Sequence, residues 1–375
     1  MSLIDTAPLT FAVTRNLAAR TDAERAAILA APAFGQVFTD HMVDICWSER
    51  GGWHRPRVQP YGPISLDPAA AVLHYGQEIF EGLKAYKWAD GSIRTFRPEA
   101  NAQRLQASAR RLALPELPTE YFLQSLRELI AVDGAWVPDA PDTSLYLRPF
   151  MFAKEAFLGV RAAKKVAYYV IASPAGAYFP GGVAPVDIWL ETEYSRAGRG
   201  GLGAAKTGGN YAASLLPHEE AAKHGCAQEL YLDAAEGRYI EELGGMNVVL
   251  VRSDGSLLVP DSDSILPSIT RSSVLRVAED LGHTADVRRV ALDEWRDGVA
   301  SGDIVEAFAC GTAAVITPIA RLIGRDLTIG DAGAQPGEVT MAIRQRLTDI
   351  QYGHADDTHG WMLRLDSPAG SGTGA

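Results

Sequence analysis

Cysteine is scarce in this chain, and positive charge is nowhere concentrated. Three cysteines occur in 375 residues, Cys46, Cys226 and Cys310, too scattered to form a Cys-x-x-Cys pair. Neither a disulfide framework nor a thiolate zinc site is supported, and no metal is expected. Acidic residues outnumber basic ones, 46 to 35, for a formal charge of −11. With no basic run, nucleic acids and anionic membranes lack the cationic footprint they need. The start, Met1-Ser2-Leu3-Ile4-Asp5-Thr6, has no basic segment followed by an apolar stretch, so no signal peptide is expected. The longest uncharged run, Val166 to Val186, is long enough to span a bilayer. However, Pro174, Pro180, Pro185 and the Gly181-Gly182 pair would open its backbone hydrogen bonds in lipid. It reads as a buried strand, Val166 to Ala172, running into a turn-rich loop. A cytoplasmic protein with no nucleic-acid or membrane partner is expected.

The chain is long enough to bury a large core, and its length alone suggests two or three domains. In the first half, Asp90-Gly91 is a hairpin signal between strands Leu83–Trp88 and Ser92–Phe96. Pro98 opens a helix through Arg111, and a second helix covers Thr119 to Val132. Leu145–Phe152 and Val166–Ala172 read as further strands. The second half opens with a strand, Val186–Glu191, followed by the Gly-rich stretch Gly198-Arg-Gly-Gly-Leu-Gly203 and a helix from Tyr211 to His224. Short strands follow at Leu230–Asp233, Gly237–Glu242, Met246–Arg252 and Leu257–Val259, with Asp254-Gly255 as a turn. Helices from Thr270 to Leu281 and from Glu338 to Gln351 close the pattern. Strands and helices mix without regular βαβ alternation, which predicts an α+β fold rather than a doubly wound sheet. The expected layout is a small α/β domain over residues 1–173, a linker over 174–185, a larger domain over 186–365 and a disordered tail over 366–375.

Gly198-x-Gly200-x-x-Gly203 matches the dinucleotide fingerprint, and its continuation to Lys206-Thr207 falls one residue short of a Walker A loop. Context disfavours both. Thr192 to Ala197 separate the glycines from the preceding strand, and Gly208-Gly209 would interrupt a helix directly after Lys206. A P-loop also needs glycine before its lysine, where this chain has Ala205. A second chemistry suits the residues better. Ala204, Ala205, Gly208 and Gly209 leave space around Lys206, and a desolvated lysine becomes an amine nucleophile and proton carrier. On this stretch alone, an ordinary surface lysine is the commoner reading.

The wider pattern changes that. Lys206-Thr-Gly-Gly-Asn-Tyr211, Glu241-Glu242-Leu-Gly-Gly-Met-Asn247 and Gly311-Thr312-Ala313-Ala314 together resemble the branched-chain aminotransferases, pyridoxal 5'-phosphate (PLP) enzymes of fold type IV. Leu73-His-Tyr-Gly-Gln-Glu-Ile-Phe-Glu-Gly-Leu-Lys84, Ser144-Leu-Tyr-Leu-Arg-Pro149 and Ile350-Gln-Tyr-Gly353 agree, in the same order, from about Phe34 to Trp361. The pattern resembles the bacterial members of actinobacterial type.

The resemblance implies a two-domain fold like that of the D-amino-acid aminotransferases, and transamination of leucine, isoleucine and valine with 2-oxoglutarate. It makes Lys206 the Schiff-base lysine and proton shuttle, Glu242 the carboxylate beside the pyridine nitrogen, and Tyr211 the partner of the cofactor's phenolic oxygen. Glu241 is expected to be a strand-end acid exposed to water. Arg104, the Ile269 and Thr270 amides at a helix N-terminus, and Thr312 are implied to bind the phosphate. Phe34, Phe80, Tyr146 and Tyr178 match pocket walls, and Arg148 matches the residue that receives the side-chain carboxylate of glutamate. The Thr312 and Ala313 amides match the α-carboxylate site. Tyr75, Leu158 and Val160 match positions supplied by a second subunit, so a homodimer is implied. Two departures stand out. Ala314 and Thr317 replace a redox cysteine pair found in some relatives, so that regulation is expected to be absent. Gly245 replaces a threonine that some members place beside the α-carboxylate. D-amino-acid aminotransferases and aminodeoxychorismate lyases are the alternatives within the fold, and the Arg148 context and apolar aromatic set favour the branched-chain reading over both.

Overall fold

In a computed structural model, residues 9–176 and 182–366 are described. The chain divides into two compact units, residues 1–178 with 351–375, and residues 179–350. The first unit carries strands β1 (Ala12–Val13), β2 (His41–Ser48), β3 (Gly52–Pro60), β4 (Glu78–Phe80), β5 (Leu83–Lys87), β6 (Ile93–Phe96), β7 (Ser144–Ala153) and β8 (Lys165–Ala175). Its helices are α1 (Asp22–Ala30), α2 (Ala71–Tyr75), α3 (Pro98–Arg111) and α4 (Thr119–Asp133). The second unit carries β9 (Val186–Glu191), β10 (Gln228–Leu232), β11 (Ile240–Leu243), β12 (Asn247–Arg252), β13 (Leu257–Pro260), β14 (Ala285–Arg288), β15 (Ile304–Gly311), β16 (Val315–Ile323) and β17 (Thr328–Gly330). With them go α5 (Gly208–Lys223), α6 (Ile269–Asp280), α7 (Leu292–Ser301) and α8 (Glu338–Tyr352). A final strand, β18 (Met362–Arg364), pairs antiparallel with β6.

The first sheet runs β1-β3-β2-β8-β7-β5-β6-β18, with β4 also on β7. Alternation along β7 decides which face does what. Leu145, Leu147 and Met151 enter the main core with Leu105 of α3 and Phe122, Leu126 and Leu129 of α4. Tyr146, Arg148, Phe150 and Phe152 lie on the other face, where Phe150 and Phe152 stack on Tyr169 at 5.4 and 5.8 Å. Helices α3 and α4 thus pack on one face of the sheet, while the other carries a smaller cluster around Met42, Phe152 and Tyr169, together with Tyr146 and Arg148.

The second sheet runs β11-β10-β9-β16-β15-β12-β13-β14, with β17 on β16. It is mixed: β9 pairs parallel with β10 and β16, while β12 pairs antiparallel with β13 and β15. Its core packs Ile188, Leu230, Leu243, Leu250, Leu258 and Leu322 against Trp295 of α7. Two sheets of mixed direction are the α+β fold that the pattern predicts. Both Asp-Gly hairpins form, with Gly91 at φ 80° and Gly255 at φ 82°, a region that glycine occupies without strain.

Four expectations are corrected. The helix after Lys206 begins at Gly208 rather than Tyr211. Glycine costs little in a first turn, whose amides have no intrahelical partner in any case. Residues 351–366 belong to the first unit instead of extending the second, because β18 completes the edge of the first sheet. The N-terminal unit is therefore the larger of the two in chain length. The strand expected to end at Ala172 runs through Ala175, since Pro174 and Ala175 still pair with Leu145 and Ser144; the rest of the expected linker includes residues 177–181, outside the described residues. Asp366, first residue of the expected tail, accepts from Arg364 at 2.7 Å; residues 367–375 lie outside the described residues.

Candidate active site

In the second unit, Lys206 lies between the Gly-rich stretch and α5. Its Nζ donates to the Tyr211 hydroxyl at 2.7 Å, in the first turns of that helix. Asn210 fixes the stretch from below, its Nδ2 donating to the carbonyls of Leu202 (2.9 Å) and Ala205 (2.8 Å). Gly203 is required by contact: a Cβ there would sit 2.0 Å from the Ser264 carbonyl oxygen. The last glycine of the stretch that imitates a nucleotide motif therefore lets this loop press, three residues before the lysine, against residue 264.

Glu242 stands on β11, buried. Leu266 N–H donates to its Oε1 at 2.7 Å, Arg196 Nη1 lies 2.8 Å from the same oxygen, and Asn247 Nδ2 donates to Oε2 at 3.2 Å. Burial pushes the Glu242 carboxyl up to about 7, against the opposing pull of Arg196, the Leu266 amide and Lys206. Glu241 corrects the reading of an exposed acid. It is buried, accepts from Ser262 at 3.1 Å, and its carboxyl is also raised by burial. All four residues of β11 are buried, so neither face of that strand offers a solvated position.

Two backbone features of this unit suit anion binding. At the start of α6, Ser268 caps the helix by accepting from Arg271 N at 3.1 Å, which leaves Ile269 and Thr270 at the positive end of the helix dipole. The second is the turn Thr312-Ala313-Ala314 between β15 and β16. It closes with Val315 at φ 63°, a left-handed conformation that a β-branched residue adopts only under constraint, at roughly 1–3 kcal/mol. No sequence signal marks that strain.

In the first unit, Phe80, Tyr146 and Arg148 come together, with Phe34 edge-on to Tyr146 at 5.0 Å. The Arg148 guanidinium lies 4.7 Å from the Phe80 ring and 5.2 Å from the Tyr146 ring, and its Nη2 donates to the Tyr146 hydroxyl at 2.9 Å. Its Nε is buried with no hydrogen-bond partner among the described residues. A Cβ on Gly82 would fall 2.0 Å from the Tyr146 hydroxyl, so glycine there keeps the ring in place. Arg104 makes a fork-to-fork pair with Glu81, Nε to Oε1 and Nη2 to Oε2, both at 2.8 Å, while Asn101 donates to Oε2 at 2.7 Å. Sequence reading missed Glu81 and Arg196. Glu81 lies inside a quoted motif, next to Phe80, where a fully buried acid demands a cation. Arg196 lies in no motif. Tyr178 lies outside the described residues. Tyr75, Leu158 (74% exposed) and Val160 (92% exposed) are on the surface of this unit.

The arrangement is that of a lysine amine oriented by a phenol, with a buried carboxylate in the same unit. The family profile "Amino-transferase class IV" matches residues 78–322, and the chain belongs to that family. Similarity also extends over nearly the full chain to named enzymes. It is 59% identical to the branched-chain-amino-acid aminotransferase of Mycobacterium tuberculosis, covering 95% of this chain and 98% of the relative. To the enzyme of that name from Mycolicibacterium smegmatis it is 57% identical, covering 97% and 100%. Among solved structures, the branched-chain amino acid aminotransferase of Escherichia coli superposes with a TM-score of 0.71 at 27% identity, over 86% of this chain and 99% of that one.

Proposed function

We propose that this protein transfers the amino group of branched-chain L-amino acids to 2-oxoglutarate, giving branched 2-oxo acids and glutamate, with PLP as cofactor. The observation that carries the reading is the 2.7 Å contact of Lys206 Nζ with Tyr211 in a unit that also buries Glu242 between Arg196 and the Leu266 amide. This donor set fits the cofactor: an amine for its aldehyde, a hydroxyl for its phenolic oxygen and a carboxylate for its ring nitrogen.

Bound PLP supplies an electron sink for the pair left behind when the substrate Cα proton departs. Lys206 carries that proton. The Tyr211 hydroxyl orients the amine, and the small residues beside it leave room for a substrate. Glu242 holds the positive charge of a protonated ring nitrogen. The phosphate donors of the second unit are the Ile269 and Thr270 amides and Thr312, and the candidate of the first unit is Arg104, held rigid by Glu81. The Thr312 and Ala313 amides receive the α-carboxylate. Phe34, Phe80 and Tyr146 form apolar walls for an isobutyl group; Tyr178, the fourth residue implied for them, lies outside the described residues. Arg148 receives the carboxylate of glutamate, and its rest position over two aromatic rings is what a residue used by only one substrate needs. Tyr75, Leu158 and Val160, exposed in this chain, are where a second copy docks in a homodimer. Three buried unpaired thiols suit the reducing cytoplasm, and branched-chain amino-acid biosynthesis is the setting proposed.

The test is the visible spectrum of the purified protein before and after addition of leucine. A band that bleaches with L-leucine, returns with 2-oxoglutarate and ignores D-leucine is expected. Lys206→Ala should abolish the change, and borohydride should fix the cofactor to the peptide containing Lys206. Fixation at another lysine would displace Lys206 from this role.

A further inference from the structure

Arg196 belongs to none of the recognised motifs, yet its side chain is only 2% exposed. A guanidinium is costly to bury, so the groups it meets indicate its purpose. Its Nη1 donates to the carbonyls of Gly203 at 3.4 Å and Ser264 at 3.2 Å, and lies 2.8 Å from Oε1 of Glu242. Gly203 is three residues before Lys206, and Ser264 is two residues before Leu266, whose amide donates to that same Oε1 at 2.7 Å. One cation thus ties together the lysine loop, the segment leading to α6 and the carboxylate on β11.

The two oxygens of Glu242 are held unequally. Oε1 takes a charged donor and a short backbone N–H, whereas Oε2, among the described residues, takes the Asn247 amide alone, at 3.2 Å. An oxygen with two strong donors is committed, and the other keeps a lone pair to offer. We propose that Arg196 is a positioning residue that locks Oε1 and holds Glu242 ionised, so that Oε2 is the atom presented to the ring nitrogen of the cofactor. This rests on the assignment of Glu242 given above.

The surrounding charges favour the same assignment. Burial pushes the Glu242 carboxyl up to about 7, with Arg196 first among the influences that oppose it and Lys206 further down; Glu241 acts the other way. On β15, burial pushes the Cys310 thiol up to about 12, so it carries no charge near neutrality, and Arg271 faces Cys310. Arg196 is the strongest of the influences that favour the ionised form, so without it the balance moves further toward the protonated carboxyl. The proton between Glu242 and the ring would then sit on oxygen, as O–H donating to a neutral ring nitrogen, instead of on nitrogen donating to a carboxylate. No atom is gained or lost; one proton changes owner.

The experiment uses holoenzyme carrying PLP isotope-labelled at the ring nitrogen, with the nitrogen NMR shift followed across the neutral range. Wild type is expected at the protonated position. Arg196→Met should move it to the unprotonated one and weaken cofactor affinity roughly thirtyfold or more, the scale of leaving a buried charge unpaired. Arg196→Lys, which keeps the charge, should retain the protonated signal. A protonated signal unchanged in Arg196→Met would overturn the proposal. A wild-type signal that does not respond to Glu242→Gln would instead remove the assignment of Glu242, and the proposal with it. Should Arg196→Met fail to fold, rescue by adding Glu242→Gln supports the pairing. Failure of that double variant to fold would reduce Arg196 to a backbone tie and refute the role.

Discussion

Replacing Arg148 with methionine should separate the two halves of the reaction. The resting guanidinium lies 4.7 Å from the Phe80 ring and 5.2 Å from the Tyr146 ring, contacts worth about 0.5–2 kcal/mol each. Against them stands its buried Nε, which has no partner among the described residues, at about 1–3 kcal/mol. These nearly offset one another, and the Nη2 bond to the Tyr146 hydroxyl, worth about 1–2 kcal/mol, is what remains. A methionine thioether can also lie against the same rings. The fold should therefore lose no more than about 1–2 kcal/mol, and any larger effect on catalysis reports the missing charge.

Glutamate brings a side-chain carboxylate that cannot be buried unpaired, so its half-reaction should lose roughly 2–4 kcal/mol in kcat/KM. Leucine brings no second charge, and its half-reaction should change by less than about 1 kcal/mol. Stopped-flow absorbance measures each half-reaction separately, and a thermal melt checks the fold. Equal losses for both substrates would mean that Arg148 serves the α-carboxylate or the scaffold, and the dual-specificity argument would fail.

Gly203→Ala would place a Cβ 2.0 Å from the Ser264 carbonyl oxygen, where backbone must move, whereas Gly209→Ala meets nothing within 4 Å. The first should destabilise by about 1–3 kcal/mol and impair cofactor retention, and the second should be neutral or stabilising by up to about 1 kcal/mol; equal melting temperatures would refute the loop contact. Glu242 has its carboxyl raised from 4.5 to about 7 in the fold, mainly by burial. Its contribution to stability is thus complete below the unfolded value and is lost as pH rises through the folded one, about 3 kcal/mol in all. Denaturant midpoints of the cofactor-free protein should therefore fall between those two pH values, and less steeply in Glu242→Gln. Glu229 and Glu241, also raised by burial, keep some slope in that variant. Identical slopes for the two proteins would contradict the assignment.

Elements with local signals were readable in the chain. Pro98 at the first helical position and Arg110-Arg111 in the last turn bracket α3, and both boundaries match the reading. Strand β9 also coincides with its apolar run, Val186–Glu191. What escaped depends on partners distant in sequence. Strand β3, Gly-Trp-His-Arg-Pro-Arg-Val-Gln-Pro, carries two prolines and no clean alternation, and it exists because β2 pairs with it from His41 to Ser48. The site divides in the same way. Lys206 and Tyr211 are five residues apart and legible together, while Arg196, Gly203, Ser264 and Glu242 meet only in space. Glu241 was misjudged because adjacent residues on a strand point to opposite faces, and here both faces are covered.

The pairing of β18 with β6 has a consequence for how the protein is made. The Trp88 indole donates to the Gln351 carbonyl, a partner 263 residues away, and β6 receives its last neighbour from beyond that point. A ribosome delivers β6 first and then the whole of residues 179–350 before β18 emerges. Throughout that interval β6 is an open sheet edge, able to recruit a strand from another nascent chain. Arg94 sits at its centre, its guanidinium 3.9 Å from the Trp88 ring and 3.8 Å from the Asp90 carboxylate. A charge at that place makes the waiting edge a poor template for a stranger. Arg94→Val is therefore expected to raise aggregation during expression more than it lowers the melting temperature of the finished fold.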